Sequence, residues 1–387
     1  MSATILDPAA LEAEGRALAT AGRLADATAA LRESLALRPG HADTLLTLAL
    51  VRRDLDDWEE AARLLADACV ADPGHAYARY CLGTVLLALG RYEEGMPARL
   101  AGRHSVIPEN AIPGEPWRGE AMQTSRGDPA TLLLHADGGL GDTIMLARYV
   151  PLCAARCKVV MAGHPSLARL FATLPGLAEF AGAPPGPLYH RHLPMEHLPQ
   201  LWGTTPDTVP GREPYLAADP AIAARFARRL AALPGRKIGL VWAGNASFAS
   251  DHERSIPLAA LAPILAVPGV SFVSLQLGPA ADQAHDQPEL HDWTADITDF
   301  ADTAGLIDGL DLVISVDTAV LHLAGAMGKP VWLLNRLNTD WRWGLGRSDS
   351  AWYPSLRQFR QTTLGDWAPP IAAAATALAR EVAGSSG

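Results

Sequence analysis

Residues 311–334 read Asp-Leu-Val-Ile-Ser-Val-Asp-Thr-Ala-Val-Leu-His-Leu-Ala-Gly-Ala-Met-Gly-Lys-Pro-Val-Trp-Leu-Leu, and they constrain the fold more than any other stretch. A β-branched run (Leu312–Val316) meets the polar pair Asp317-Thr318. A segment of helical period follows (Ala319–Met327), stops at Gly328, and gives way to a second apolar run from Pro330. The order strand, turn, helix, strand is half of a nucleotide-binding βαβ unit. At the turn of such a unit, unpaired backbone N–H groups and the helix dipole favour an anion. His322 lies one turn into the helix, where its ring can add a donor. Thr318, Ala319 and His322 therefore form a candidate pyrophosphate cradle.

Residues 131–149 repeat the pattern. A strand (Thr131–His135) runs into a turn with Gly138, Gly139 and Gly141, and a helix is predicted to open at Asp142-Thr143. Glycines there permit tight turning and close backbone approach to a ligand. The turn matches neither G-x-G-x-x-G nor the phosphate loop with its lysine. Two half-sites this far apart in the chain imply two Rossmann-like domains facing one cleft.

A chain of 387 residues has room for two or three domains. Its net charge of −10 makes nucleic acid a poor partner, so an anionic ligand must be met locally by arginines and helix ends. None of the four cysteines forms a C-x-x-C pair, and Cys153 and Cys157 read as small core residues. His190, His192 and His197 lack ligand-like spacing with carboxylates, so no metal is expected, and no cofactor. Neither a signal peptide nor a membrane span is visible, which points to the cytoplasm.

The first hundred residues are Ala/Leu/Arg-rich and repetitive. Pro39-Gly40-His41-Ala42 recurs as Pro73-Gly74-His75-Ala76, an offset of 34. At that offset Ala27 matches Ala61, and Leu24, Trp58 and Tyr92 share one position. Gly15, Ala49 and Gly83 occupy another, where close helix approach needs a small residue. The spacing resembles the tetratricopeptide repeat, a helical solenoid with a concave face. Two repeats are clear, and Pro97 is expected to interrupt the third. The organisation predicted is a solenoid over residues 1–103, a Pro/Gly-rich linker over 104–129, and a first α/β domain over 130–235. A second α/β domain follows over 236–368, then a C-terminal helix and tail over 369–387. Pro-rich loops interrupt the first α/β domain at 183–187 and 206–214. The fold class is α plus α/β, with parallel sheets covered by helices.

Gly-Leu-Gly-Asp-Thr at 139–143 and Asp-Thr-Ala-Val-Leu-His-Leu-Ala-Gly-Ala at 317–326 resemble the family 9 glycosyltransferases, the ADP-heptose heptosyltransferase family. Supporting motifs occur in order: Gly239-Leu-Val-Trp-Ala-Gly-Asn245, Arg254-Ser-Ile-Pro257, Ser274-Leu-Gln276, Asp299-Phe-Ala-Asp-Thr303, Asp340-Trp-Arg-Trp343 and Trp352-Tyr-Pro354. The whole chain looks like bacterial tetratricopeptide-repeat proteins with such a module. The resemblance implies a GT-B fold, with the C-terminal helix returning to the first α/β domain. It implies inverting sugar transfer from a nucleotide-sugar without an essential metal. It assigns the general base to Asp142 and the donor phosphate to Arg254, Thr318, Ala319 and His322. Gln276 falls on the nucleoside side. The chain departs from the family at Ala319, where heptosyltransferases usually show Gly.

Each assignment has a bland counterpart. From sequence alone Asp142 reads as a helix N-cap, and the preceding glycines and the resemblance move it toward catalysis; Asp317 is likewise an N-cap candidate and reads mainly as structural. Arg254 stands among Asp251, His252 and Glu253 and could be a solvated charge. The cluster of Trp341, Trp343, Trp352 and Tyr353 suits packing better than sugar stacking, with Asp340 and Arg342 bracing its loop. The expected activity is sugar transfer to an acceptor, a protein docked by the repeats. The alternative is a repeat scaffold whose transferase domain is degenerate and non-catalytic.

Overall fold

The computed structural model describes residues 7–106, 112–183, 186, 188–211, 213–248 and 250–384. Pro108 of the expected linker, residues 184, 185 and 187 of the first Pro-rich stretch and residue 212 of the second lie outside them. The chain divides into two compact units. The first is built on the six N-terminal helices and also takes in residues 203–206 and 337–346; the second holds the α/β elements.

The helical unit contains α1 (Pro8–Thr20), α2 (Leu24–Leu37), α3 (Ala42–Asp54), α4 (Trp58–Ala71), α5 (Ala76–Ala88) and α6 (Tyr92–Gly102). Pro8, Ala42 and Ala76 open the first helix of each pair, and Leu24, Trp58 and Tyr92 open the second, so the 34-residue period sets the helix starts. The small-residue position has a steric cause. A Cβ on Gly83 would fall 2.2 Å from the Arg99 backbone N, and one on Gly15 would fall 2.5 Å from Leu31 Cγ. The third pair is complete. Helix α6 runs through Pro97 instead of breaking there. Pro97 removes one hydrogen bond to the Glu93 carbonyl, and both residues are exposed, so water can replace it.

Residues 337–346 pack within this unit although they fall inside the expected second α/β domain. Trp341 meets Tyr92 edge-on at 5.9 Å, Arg99 lies 5.8 Å over the Trp341 ring, and Asn338 Nδ2 donates to Asp54 Oδ1 at 3.1 Å. The aromatic cluster is therefore split: Trp341 and Trp343 belong to the helical unit, whereas Trp352 and Tyr353 belong to the α/β unit. Arg342 pairs with Asp340 at 2.7 Å, as the spacing predicted.

The α/β unit holds two parallel sheets. The first uses β1 (Thr131–His135), β2 (Lys158–Ala162), β3 (Leu177–Ala181) and β4 (Arg191–Pro194) in the order β3-β2-β1-β4. Its helices are α7 (Leu140–Leu146), α8 (Val150–Ala154), α9 (Ala168–Phe171) and α10 (Leu198–Leu201). The helix expected to open at Asp142-Thr143 is thus two short helices joined by a tighter turn at 147–149, with Pro151 in the first turn of α8. Cys153 and Cys157 are free and buried; burial pushes their thiols up to about 12 and about 11.

Helix α11 (Pro220–Leu230) leads into the second sheet. The strands are β5 (Arg236–Val241), β6 (Val270–Ser274), β7 (Leu290–Asp292), β8 (Leu312–Ser315), β9 (Val331–Asn335) and β10 (Leu356–Arg360). They lie in the order β10-β9-β8-β5-β6-β7, which is the Rossmann order of six strands. The accompanying helices are α12 (Asp251–Arg254), α13 (Ala262–Leu265), α14 (Phe300–Asp308), α15 (Ala319–Ala326) and α16 (Ala368–Gly384).

Two helices depart from simple chain order. Helix α11 packs on α14, where a Cβ on Gly305 would fall 2.4 Å from Ile222. The C-terminal helix does not return to the first sheet as the resemblance implied. Its stripe Ile371, Ala374, Ala377 and Leu378 joins Trp332, Leu334 and Phe359 in the core of the second sheet. Arg236 on β5 adds an ion pair to Glu381 at 2.9 Å. The stripe recurs every three or four residues and is wide enough to cover the sheet face beside it.

Candidate active site

In an open parallel sheet, ligands bind beyond the carboxyl ends of the strands where the strand order reverses. Here that happens twice, between β1 and β4 and between β5 and β8. Both sequence half-sites sit at these two points.

Beyond β1, Gly139 caps α7, and Asp142 lies three residues into the helix rather than at its start. The Gly139 N–H donates to Asp142 Oδ2 at 3.0 Å. The bland role of Asp142 is thus real, but it is the carboxylate half of a capping box and not an N-cap. Glu196 joins it. A Cβ on Gly138 would lie 2.8 Å from Asp142 Oδ2 and 2.9 Å from Glu196 Oε1, so two carboxylates converge around this glycine. The sequence reading missed Glu196, which stands in no motif. The signal is topological: β4 pairs with β1 through His135 and Pro194, which brings the residues after Pro194 beside the glycine-rich turn.

Beyond β8, Thr318 caps α15 with an extended backbone, and Ala319 is its first residue. Asp317 is outside the helix and is not the cap. Its carbonyl accepts from Arg254 Nη1 at 2.9 Å. Arg254 Nε donates to Asp251 Oδ1 at 2.9 Å, and Asp251 Oδ2 accepts from Ser255, whose Oγ in turn accepts the Gly244 N–H at 2.9 Å. Arg254 is therefore no loose surface charge. It is clamped between the loop after β5 and the turn after β8, on the two strands that flank the reversal.

His322 is only 4 % exposed. Its Nδ1 is 2.9 Å from the Tyr353 hydroxyl, and its Nε2 is 3.9 Å from Asp317 Oδ1. A Cβ on Gly141 would fall 2.6 Å from His322 Cδ2, 3.2 Å from Nε2 and 3.5 Å from Ala319 Cα. The starts of α7 and α15 thus meet at Gly141, and the two half-sites share one locus. Gly138 and Gly139 line the turn that leads into it.

Gln276 sits one step further out. Its Oε1 accepts from the Trp242 and Ala243 N–H groups at 3.0 and 2.8 Å, and its Nε2 donates to the Ala243 and Leu277 carbonyls at 3.1 and 2.9 Å. Its amide bonds backbone on both sides and fixes the loop that leads to Gly244.

The two sheets are tied together away from the turns. Arg169 on α9 donates to Asp299 at 2.6 Å and to Asp302 at 2.7 Å, and Arg225 on α11 reaches Asp302 at 2.9 Å. Asp299 also caps α14. Burial alone would push the Asp302 carboxyl up, but hydrogen bonds from Thr298 and the charge of Arg169 outweigh it and hold the group below its ordinary value.

Residues 288–358 match glycosyltransferase family 9 (heptosyltransferase). Protein FlbA of Caulobacter vibrioides is 32% identical over 408 residues, covering 94% of this chain. The chain in turn spans 66% of that relative's length. The E. coli ADP-heptose lps heptosyltransferase II is similar in structure at 13% identity and a TM-score of 0.46, over 66% of this chain and 100% of that one. The helical region is similar to the Sgt2 TPR domain of Aspergillus fumigatus at 23% identity and a TM-score of 0.24, over 24% of this chain and 63% of that one. The chain thus carries a glycosyltransferase family 9 domain behind six helices in tetratricopeptide-like repeat.

Proposed function

We propose that this chain is an inverting glycosyltransferase that moves a sugar from a nucleotide-sugar to a hydroxyl acceptor, with no resident metal or cofactor. In this reading the donor diphosphate lies over the start of α15, between Thr318, Ala319 and His322, with Arg254 beside it. The nucleoside extends toward the loop that Gln276 braces. Helix amides, an imidazole and a guanidinium offset the charge that the leaving nucleoside diphosphate gains. Asp142 takes the acceptor proton during attack on the anomeric carbon.

One observation carries the reading: the carboxylate-bearing turn and the cationic turn meet at Gly141, within van der Waals reach of His322. A proton acceptor and an anion cradle are what a metal-free transfer requires, and the position of Asp142 and of the start of α15 beyond the carboxyl ends of the two sheets supports giving them these roles. The acceptor is a protein docked by the helical repeats, and the reaction runs in the bacterial cytoplasm. No helix among the described residues is long and apolar enough to cross a membrane.

The rival reading is a repeat scaffold with a transferase domain that binds without turning over. It draws on the bond between Asp142 and Gly139, which gives the carboxylate a structural occupation. Incubating the full chain with a panel of nucleotide-sugars separates the two. A transferase releases free nucleoside diphosphate from one donor by slow hydrolysis, and Asp142→Asn abolishes the release. Donor binding with no release from any panel member would favour the scaffold.

A further inference from the structure

We propose that Arg148 and Tyr215 are positioning residues that lock α7 of the first sheet to α15 of the second, so that the fold itself sets where Asp142 stands relative to the donor cradle. The inference rests on the roles proposed above for Asp142 and the start of α15, and its test separates the two.

Arg148 lies just past the end of α7 and is 2 % exposed. Its Nε donates to the Met145 carbonyl at 2.8 Å, its Nη1 to the Trp352 carbonyl at 2.7 Å and its Nη2 to the Tyr215 hydroxyl at 3.2 Å. These acceptors lie on three separate segments: α7 itself, the stretch between β9 and β10, and the connection that precedes α11. A guanidinium is a rigid planar fork, so all three acceptors must keep their places for the bonds to survive. Burying such a group is costly unless its donors are satisfied. A slip of α7 against either distant segment that keeps the fork buried would leave an N–H without its acceptor.

Both distant segments press on consecutive residues at the end of α15. The ring of Tyr353, next to Trp352, packs against Gly325, where a Cβ would fall 2.6 Å from it. The Tyr215 and Leu216 N–H groups donate to the Ala326 carbonyl at 3.0 and 3.3 Å. Pro214 fills the space beside Gly328, where a Cβ would fall 2.5 Å from Pro214 Cγ. The Tyr215 hydroxyl is 3.1 Å from the Ile144 carbonyl of α7, and its ring centre is 5.0 Å from the Arg148 guanidinium carbon. Tyr215 thus holds α15 by its backbone and α7 by its side chain.

At the other end of both helices, Gly141 abuts Ala319 and His322. The helices are therefore joined near their starts and near their ends. A single contact would let them pivot; two contacts spaced along α7 oppose it. Sheets that flank a cleft commonly close on a ligand by a hinge. Here a buried arginine and a tyrosine span the joint that such a hinge would use, and they hold Asp142 one residue from the point of contact.

The test reads amide protection and kinetics on the full chain. Hydrogen exchange followed by mass spectrometry should find residues 143–147 protected in wild type. Arg148→Met and Tyr215→Phe should lose that protection while the strands of both sheets keep theirs. Affinity for ADP and UDP should be unchanged in both variants. Release of nucleoside diphosphate at saturating donor should fall at least ~tenfold, because a slightly misplaced base is that costly. Arg148→Lys keeps the charge but not the fork and should also be slow; wild-type turnover in it would overturn the proposal. So would protection of α7 indifferent to Arg148→Met and Tyr215→Phe, or lost protection with normal turnover. Affinity falling in step with turnover would overturn it too, since a merely structural role moves both. Should Arg148→Met fail to fold, Tyr215→Phe, which loses one hydroxyl and keeps the ring, decides alone. A wild type that turns over no donor, with α7 protection lost in both variants, would uphold the lock and sink the catalytic reading of Asp142.

Discussion

The two strand-end turns of the α/β unit share a topology and differ in charge. The turn after β1 carries Asp142 with Glu196 beside it; the turn after β8 carries Arg254 and His322 around a helix start. The sheets agree in strand order as far as the first extends. What separates the turns is which side chains their loops deliver. One gathers carboxylates, the other an arginine and a histidine around a helix start. Fold alone therefore assigns a ligand end to each sheet, and residue chemistry assigns the role.

The sharpest way to break this contrast is Asp142→Asn. Asn can still accept the Gly139 N–H, so melting should stay within a few degrees of wild type. Loss of a general base should slow transfer by ~10²–10⁴ with donor affinity unchanged. Initial rates at saturating donor and a melting curve check it. Near-normal turnover would reduce Asp142 to the capping role it demonstrably has.

On the cationic side, Arg254→Ala should weaken nucleoside diphosphate binding by ~1.5–3 kcal/mol, the range for hydrogen bonds to charged groups. His322→Ala should cost less, since the α15 amides remain. Calorimetry on both variants is the measurement. Unchanged affinity in Arg254→Ala would mean that its bonds to Asp251 and the Asp317 carbonyl are its whole function.

Gly141→Ala tests whether the turns depend on each other. The added methyl would fall 2.6 Å from His322 Cδ2, so the ring or the helix must move. Overpacking of this kind costs ~1–3 kcal/mol, and here it should lower both stability and nucleotide affinity. A variant that melts lower yet binds normally would uncouple the two turns.

The smallest effect is expected at the tie between the sheets. The Asp302 side chain is buried, but its partners Arg169 and Arg225 are half exposed and an Asn oxygen can still accept from Thr298, so Asp302→Asn should cost ~1 kcal/mol. The sign with pH follows from the lowered Asp302 value. The unfolded carboxyl takes up a proton before the folded one does, so the contribution is full above the ordinary carboxylate range and is lost as pH falls through the folded value. Denaturation at pH 7 and at pH 3 should show the gap between wild type and Asp302→Asn closing on acidification.

Much of this was legible in sequence for a common reason. The helix repeat, the strands at 131 and 312, the glycine turn and the Asp-Thr turn are local patterns of period, punctuation and backbone freedom, which neighbours along the chain express. Asp142, Arg254 and His322 stood out because they flank such patterns. Glu196 and Arg148 did not, since neither interrupts a period nor completes a motif. Their placement depends on β4 pairing with β1 and on Tyr215 and Trp352 arriving from distant segments.

By itself, then, the sequence determined the helical pairs, the alternation of strand and helix, and the two turns at the strand ends, because each is written in short-range periodicity and turn chemistry. Only the tertiary structure decided that residues 337–346 join the helical unit, that α16 covers the second sheet, and that the two turns meet at Gly141. Those outcomes depend on which apolar faces bury each other most completely. That competition is between surfaces remote in the chain, and no local pattern records its result.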